Sequence, residues 1–184
     1  MACDISNGRL EACKDSVSGI DAIYIINYGI EYPTDVTFSP VAGEEDVITA
    51  VAGVTDLYKF ELKGANSFEQ TIQSSRDNGT TFFEQVVVAQ LKRQDIAAHK
   101  TVKLLSYGRP HIVVRDRNLN FFLAGLERGC DVTAGTFSTG SALGDFSGYN
   151  LTFTGMENIP APFLDCNDEA SLATLFGGAT IVDN

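Results

Sequence analysis

The sequence predicts a mainly β protein: a β-sandwich or barrel with one flanking α-helix, a long hairpin and extended terminal arms. Three observations carry that expectation. Apolar residues alternate over short runs bounded by glycine, proline, asparagine and aspartate, the period of half-buried strands. A single long segment, at about residues 95–107, has helical spacing with both a start and a stop signal. Finally, 44% hydrophobic and 20% charged residues in a chain of 184 give ordinary globular composition and enough apolar matter for one core.

Residues 1–19 are polar and broken by Asn7-Gly8 and Ser18-Gly19, so they read as an N-terminal arm. Residues 20–164 form the expected β domain. Ile20–Tyr28 is the first strand, rich in β-branched and aromatic residues, and Gly29 and Pro33 punctuate the segment after it. Asp35–Ser39 and Val47–Val51 are short strands around an acidic loop, Ala42–Asp46. Leu57–Leu62 alternates, placing Leu57, Lys59 and Glu61 opposite Tyr58, Phe60 and Leu62.

A long hairpin comes next. Phe68, Gln70 and Ile72 share one face of its first strand, and Ser74–Gly79 supplies the turn, where Asn78-Gly79 accepts positive φ at little cost. Thr81–Leu91 returns with both faces largely apolar: Phe83, Val87, Ala89 and Leu91 with Gln85 on one, Phe82, Val86 and Val88 with Glu84 and Gln90 on the other. Such a strand is expected to pack against protein on both sides, a neighbouring subunit included.

The helix is capped by Asp95 and stopped by Gly108 and Pro110; Ala98, Val102 and Leu105 make its apolar stripe, with Ala97, Thr101 and Leu104 beside it. His111–Asp116 is a strand, Arg117-Asn118 a turn, and Asn120–Ala124 the return; Gly125 and Gly129 bracket a bend. Val132–Ser138 is extended, Thr139–Gly148 is a glycine-rich loop, and Tyr149–Gly155 alternates again before the extended Pro160–Phe163. Residues 165–184 read as a C-terminal extension, with a short helix over Asp168–Phe176 stopped by Gly177-Gly178.

Composition excludes some functions. The net charge of −11 is the opposite of the basic footprint that phosphate binding needs. No apolar leader is expected, because Asp4, Arg9, Glu11, Lys14 and Asp15 interrupt the first nineteen residues, and no run is long enough to span a bilayer. Synthesis in a cytoplasm would leave Cys3, Cys13, Cys130 and Cys166 as thiols, although a Cys3–Cys13 bridge could form later in an oxidising medium; the four lack metal-site spacing with His99 and His111. Without a secretion route, the sequons at Asn78 and Asn150 read as turn and strand residues.

Catalytic patterns are missing too. There is no GxSxG elbow, Walker A loop or GxGxxG turn. Asp116, Asn118, Asn120 and Glu127 match positions 1, 3, 5 and 12 of a calcium loop, but position 6 is Phe121 where that loop needs glycine, so a polar hairpin turn explains them better. The acidic groups Glu44-Glu45-Asp46 and Asp168-Glu169 read as solvated loop charge and a helix first turn. No cofactor, metal or enzymatic activity is expected.

The order of elements resembles the tail-tube proteins, or major tail proteins, of long-tailed bacteriophages. The likeness lies in the hairpin Gly64–Leu91, the helix Asp95–Gly108 and the run Arg109–Leu164, and covers about residues 56–164. Its most specific parts are HIVVRDRNLNFFLAGLERG, the spacer TGSALGDFSGY and the closing strand LTFTGMENIPAPF. It departs from the common pattern at Arg117–Asn120, where glycine is frequent, and residues 1–19 and 165–184 have no counterpart.

The resemblance implies subunits joined in rings, commonly hexameric, that stack into a tube through which DNA passes without specific binding. The hairpin would line the lumen, with Phe68, Glu69, Gln73, Asn78, Gly79, Phe83, Glu84 and Val87 as its candidate residues. The loop residues Thr139, Gly140, Gly144, Asp145 and Gly148, with the arms, would meet the next ring. Partners would be further copies of the chain and other phage tail proteins, with no membrane; the location would be the virion tail, after synthesis in the host cytoplasm. Another virion role, such as capsid decoration, is the alternative. A carbohydrate-binding sandwich is weakened by the lack of Trp.

Overall fold

The computed structural model describes residues 8–10, 13, 14 and 16–183. Their strands are β1 (Ile20–Ile26), β2 (Val36–Phe38), β3 (Val47–Val51), β4 (Asp56–Glu61), β5 (Ser67–Ser75), β6 (Thr80–Lys92), β7 (His111–Asp116), β8 (Phe121–Ala124), β9 (Asp131–Ser138), β10 (Gly148–Glu157), β11 (Phe163–Leu164) and β12 (Thr180–Val182). Helix α1 spans Ile96–Leu105 and α2 spans Glu169–Leu175. The mainly β expectation holds, and the strands form two sheets. One has eight strands in the order β12-β4-β1-β7-β8-β11-β3-β2; the other has four, β5-β6-β10-β9.

Alternation in β1 explains how these sheets stack. Tyr24 and Ile26 point into one apolar cluster and Ile23 and Ile25 into another. The first cluster also holds Leu57 from β4 near one end of the large sheet and Val36, Ile48 and Val51 from β2 and β3 at the other. Strands so far apart in the order meet only if the sheet curls round on itself, so this cluster fills a barrel-like trough. The second cluster lies on the opposite face, where Ile23, Ile112 and Val114 meet Val87, Ala89, Leu151 and Phe153 of the four-stranded sheet and Val102 of α1. A register shift between Ile20 and Ala22 lets Ile20 join the second cluster although it shares parity with Tyr24.

Residues 165–183 are no loose extension. Leu172, Leu175 and Phe176 of the α2 segment are buried in the trough, and β12 extends the large sheet by parallel pairing with β4. Asp168 caps α2 through the Ser171 amide at 2.7 Å, a reciprocal box that fixes where the helix starts. Glu169 then accepts from Lys59 Nζ at 2.7 Å and from the buried Tyr24 hydroxyl at 3.0 Å. The Lys59 hydrogen bond holds the Glu169 carboxyl below its ordinary range, and burial drives the Tyr24 phenol well above its own. The domain therefore carries two helices: the flanking α1 and a second one inside the core.

α1 starts where its cap predicts, with the Asp95 carboxylate accepting from the Ala98 amide at 2.7 Å. Val102 is buried and Ala98 and Leu105 pack beside it, but Leu104 is 60% exposed and Ala97 also faces solvent. The helix lies across one side of the second cluster, so its buried stripe is narrower than the periodicity suggests. Of the N-terminal arm, Val17–Gly19 is tied down: Val17 exchanges hydrogen bonds with the Asn118 side chain, and Arg117 donates to the Ser18 carbonyl. Cys3 lies outside the described residues, so the Cys3–Cys13 pairing does too. Cys130 and Cys166 are thiols that burial pushes up to about 12.

Candidate functional site

Among the described residues, the large sheet ends in β12 and β2, three residues each, and the four-stranded sheet has longer edge strands. β5 and β9 are its edges, nine and eight residues long. Neither contains proline, lysine or arginine, the residues that commonly block edge pairing, and each carries one acidic residue, Glu69 or Asp131. β5 pairs with β6, β6 with β10 and β10 with β9, each time antiparallel. After three such steps β5 and β9 run in opposite directions.

The sheet's two faces differ sharply. Phe68, Val87, Ala89, Leu151 and Phe153 turn inward to the second cluster. The register places Glu69 beside Val86 and Thr71 beside Glu84, and Val86 and Val88 beside Thr154 and Thr152. These residues face outward with Gln73, Phe82, Gln90, Asn150 and Met156. The four strands hold one basic residue, Lys92, at the last position of β6. The outward face is thus a field of hydroxyls, amides and scattered apolar side chains, with Glu69 and Glu84 as diagonal neighbours on β5 and β6 and Asp131 towards the same end on β9.

The hairpin residues expected to share a lumen are divided by this geometry. Glu69, Gln73 and Glu84 lie on the outward face. Phe68, Phe83 and Val87 have the opposite parity; Val87 is 0% exposed and Phe68 packs against Phe122 with ring centroids 5.8 Å apart, so neither can face a channel. Asn78 and Gly79 sit at the hairpin tip, where the loop is four residues, Arg76–Gly79, shorter than expected. Gly79 adopts φ +64° while Asn78 keeps negative φ, so the connection is a longer turn closed by one left-handed glycine and not a two-residue Asn-Gly turn.

Thr139, Gly140, Gly144 and Asp145 do share one exposed loop joining β9 to β10. The Asp145 carboxylate accepts from the Ser141 and Ala142 amides at 2.9 and 2.7 Å and from the Ser141 hydroxyl, which holds its acid below the ordinary range. Gly148 does not belong with them. It is buried as the first residue of β10, with φ +152°, and any Cβ there would collide with the Leu91 carbonyl oxygen.

A buried polar hub ties the two sheets together, and the sequence gives only a faint sign of it in Gln85 among the valines of β6. The Gly125–Cys130 bend is gripped from three strands. Gln85 of β6 accepts from the Gly125 amide at 2.9 Å. Glu157 of β10 accepts from the Glu127 and Arg128 amides at 3.2 and 2.8 Å. His111 of β7 lies 2.6 Å from the Gly125 carbonyl through Nδ1, while its Nε2 accepts from the Gly29 and Ile30 amides, both at 3.3 Å. These partners require the neutral Nδ1–H tautomer, and burial lowers the His111 pKa in accord. Burial also raises the Glu157 carboxyl, against the two amides that favour its charged form. Every lone pair and proton of the histidine is occupied by backbone, so the hub acts as a brace.

The calcium-like spacing resolves as a turn. Asp116 accepts from the Asn118 and Asn120 amides, each at 2.8 Å, and from the Asn120 side-chain amide. Glu127 lies at the far end of β8 and bonds Asn158. Among the described residues, no three His, Cys, Asp or Glu side chains group as metal ligands, and no helix is long and apolar enough to cross a membrane. Within the Arg117–Asn120 turn, where the resemblance often has a glycine, Leu119 takes a left-handed φ of +65°. Compared with known proteins, the chain matches no family model, no curated protein and no solved structure.

Proposed function

We propose that this protein is a virion structural protein that assembles into rings, and that the rings stack into the tail tube of a bacteriophage, a non-adhesive conduit for DNA. The observation that carries the reading is the pair of open, oppositely directed edges on one four-stranded sheet. A rotation that brings β9 of one copy beside β5 of the next joins them antiparallel, the same pairing used inside the sheet. Each copy then both offers and receives one edge, so the contact is heterologous, and a pure rotation about an axis along the strands closes it as a ring.

Four strands spaced about 4.8 Å apart supply roughly 19 Å of wall per copy, so six copies would enclose a cylinder about 37 Å across at the backbone before strand tilt. The outward face becomes the channel wall. Glu69 and Glu84 would repel phosphate, and the absence of cations from the centre of the face leaves DNA nothing to hold. Within this reading the partners are further copies of the chain and other tail proteins, and the site of action is the virion tail after synthesis in the host cytoplasm.

Negative-stain electron microscopy of the concentrated protein tests the proposal. Hollow rings or tubes are expected, and a proline at Ile72, whose N–H lies on the free side of β5, should abolish them. A species that stays monomeric, or a two-fold dimer joined β5 to β5, overturns it.

A further inference from the structure

Both ends of the four-stranded sheet carry apolar side chains that the subunit itself leaves uncovered. At one end, the Asp145 carboxylate clamps the Ser141–Asp145 turn and holds Leu143 at its apex, fully exposed, with Phe146 part-exposed beside it. At the other end the β5–β6 hairpin outruns the body. Gln70 still touches the body there, accepting from the Ala161 amide at 2.7 Å. Beyond it Ile72 is 66% exposed and paired with Phe83. Ile72 and Phe83 continue the core-facing side of the sheet, and with Phe83 half-buried and Ile72 exposed their apolar ledge carries that buried surface out to solvent.

We infer that Leu143 of one copy seats on the Ile72–Phe83 ledge of a copy in the next ring. The occupant is a second copy of this chain, and the inference rests on the ring reading above. The geometry favours it because the two features lie at opposite ends of the same strands: Lys92 of β6 is level with the start of β10, and Phe83 is level with its last residue, Glu157. Translation along the strand direction therefore carries one onto the other. Charge agrees with this. Lys92 and Arg93 border the loop and outweigh its one carboxylate, Asp145, whereas Glu84 and Asp131 stand at the ledge end, where Arg76 is offset by Asp77. The contact is head to tail, so it propagates as a stack instead of closing on itself.

Two variants test the pairing, each at an exposed position that leaves the fold intact. Leu143→Asp disables the loop end and Ile72→Asp the ledge end. Each alone should reduce tubes to single rings in electron micrographs. Mixed, they still offer one working loop end and one working ledge end, so stacks of two rings and no longer are expected. Tubes of unchanged length from either variant, or a mixture that remains single rings, overturns this inference while leaving the ring reading standing. A wild-type chain that forms no rings removes both.

Discussion

Replacing His111 with phenylalanine keeps the ring's approximate shape and removes its polarity, which isolates what the buried hub contributes. Three backbone groups lose a partner. The Gly29 amide is exposed enough to recover water and the Gly125 carbonyl keeps the Gly129 amide at 3.2 Å, but the Ile30 amide is left buried with no acceptor. That stranded group costs about 1–3 kcal/mol and the hydrogen bond lost at Gly125 about 1 kcal/mol. The more apolar ring returns roughly 1 kcal/mol through burial, for a net loss of about 2 kcal/mol. Urea titration of the purified protein should show a lower midpoint with an unchanged slope. At this chain length the melting temperature should fall by roughly 4–8 °C. The pH dependence has a definite sign. The folded histidine has a lowered pKa, so the fold binds fewer protons than the unfolded chain. The wild-type contribution is complete above about pH 6.5, the ordinary histidine value, and declines as pH falls through the folded pKa. The variant should lose that part of the acid sensitivity. A midpoint shift worth less than about 1 kcal/mol would refute the claim that His111 braces the bend.

Other perturbations separate local from assembled effects. Gly148→Ala should prevent correct folding, since its Cβ would meet the Leu91 carbonyl in a backbone conformation that side chains avoid; soluble yield and circular dichroism check this. Leu119→Gly removes left-handed strain of about 1–2 kcal/mol and adds unfolded-chain entropy of about 0.5–1 kcal/mol, so the melting temperature should stay level or rise by a few degrees. Glu69→Lys with Glu84→Lys should leave the monomer's stability within about 0.5 kcal/mol of wild type, as for exposed surface changes, yet give assemblies that retain DNA at low salt; assemblies that still release it would count against a channel-facing position for these residues. Millimolar calcium should not move the melting temperature, because the Asp116 carboxylate is already engaged by its own turn.

Much of the strand content was legible because alternation and turn chemistry are local. Val47–Val51 forms β3 with the limits its pattern predicts, and Asp95 caps α1 as its spacing predicts. The hairpin was visible for the same reason. Its register was less so: parity put Val87 on a defined face of β6, but which face meets the core depends on the sheet packed against it. Likewise the Leu172, Leu175 and Phe176 triplet signals a short helix, yet nothing local says that it plugs the trough of the large sheet. The Gln85, His111 and Glu157 hub joins residues from three strands far apart in sequence, so no spacing rule could reveal it.

By itself, the sequence determined the β class, the long hairpin, the capped helix and an acidic chain poor in recognisable catalytic patterns. These arise from side-chain period, backbone preference and charge, which act between near neighbours. The tertiary structure alone decided that the large sheet curls, that the C-terminal segment belongs to the core, and that one small sheet has two open, opposed edges. Those features depend on which surfaces meet across long separations along the chain, and that is settled by the joint burial of faces from many strands.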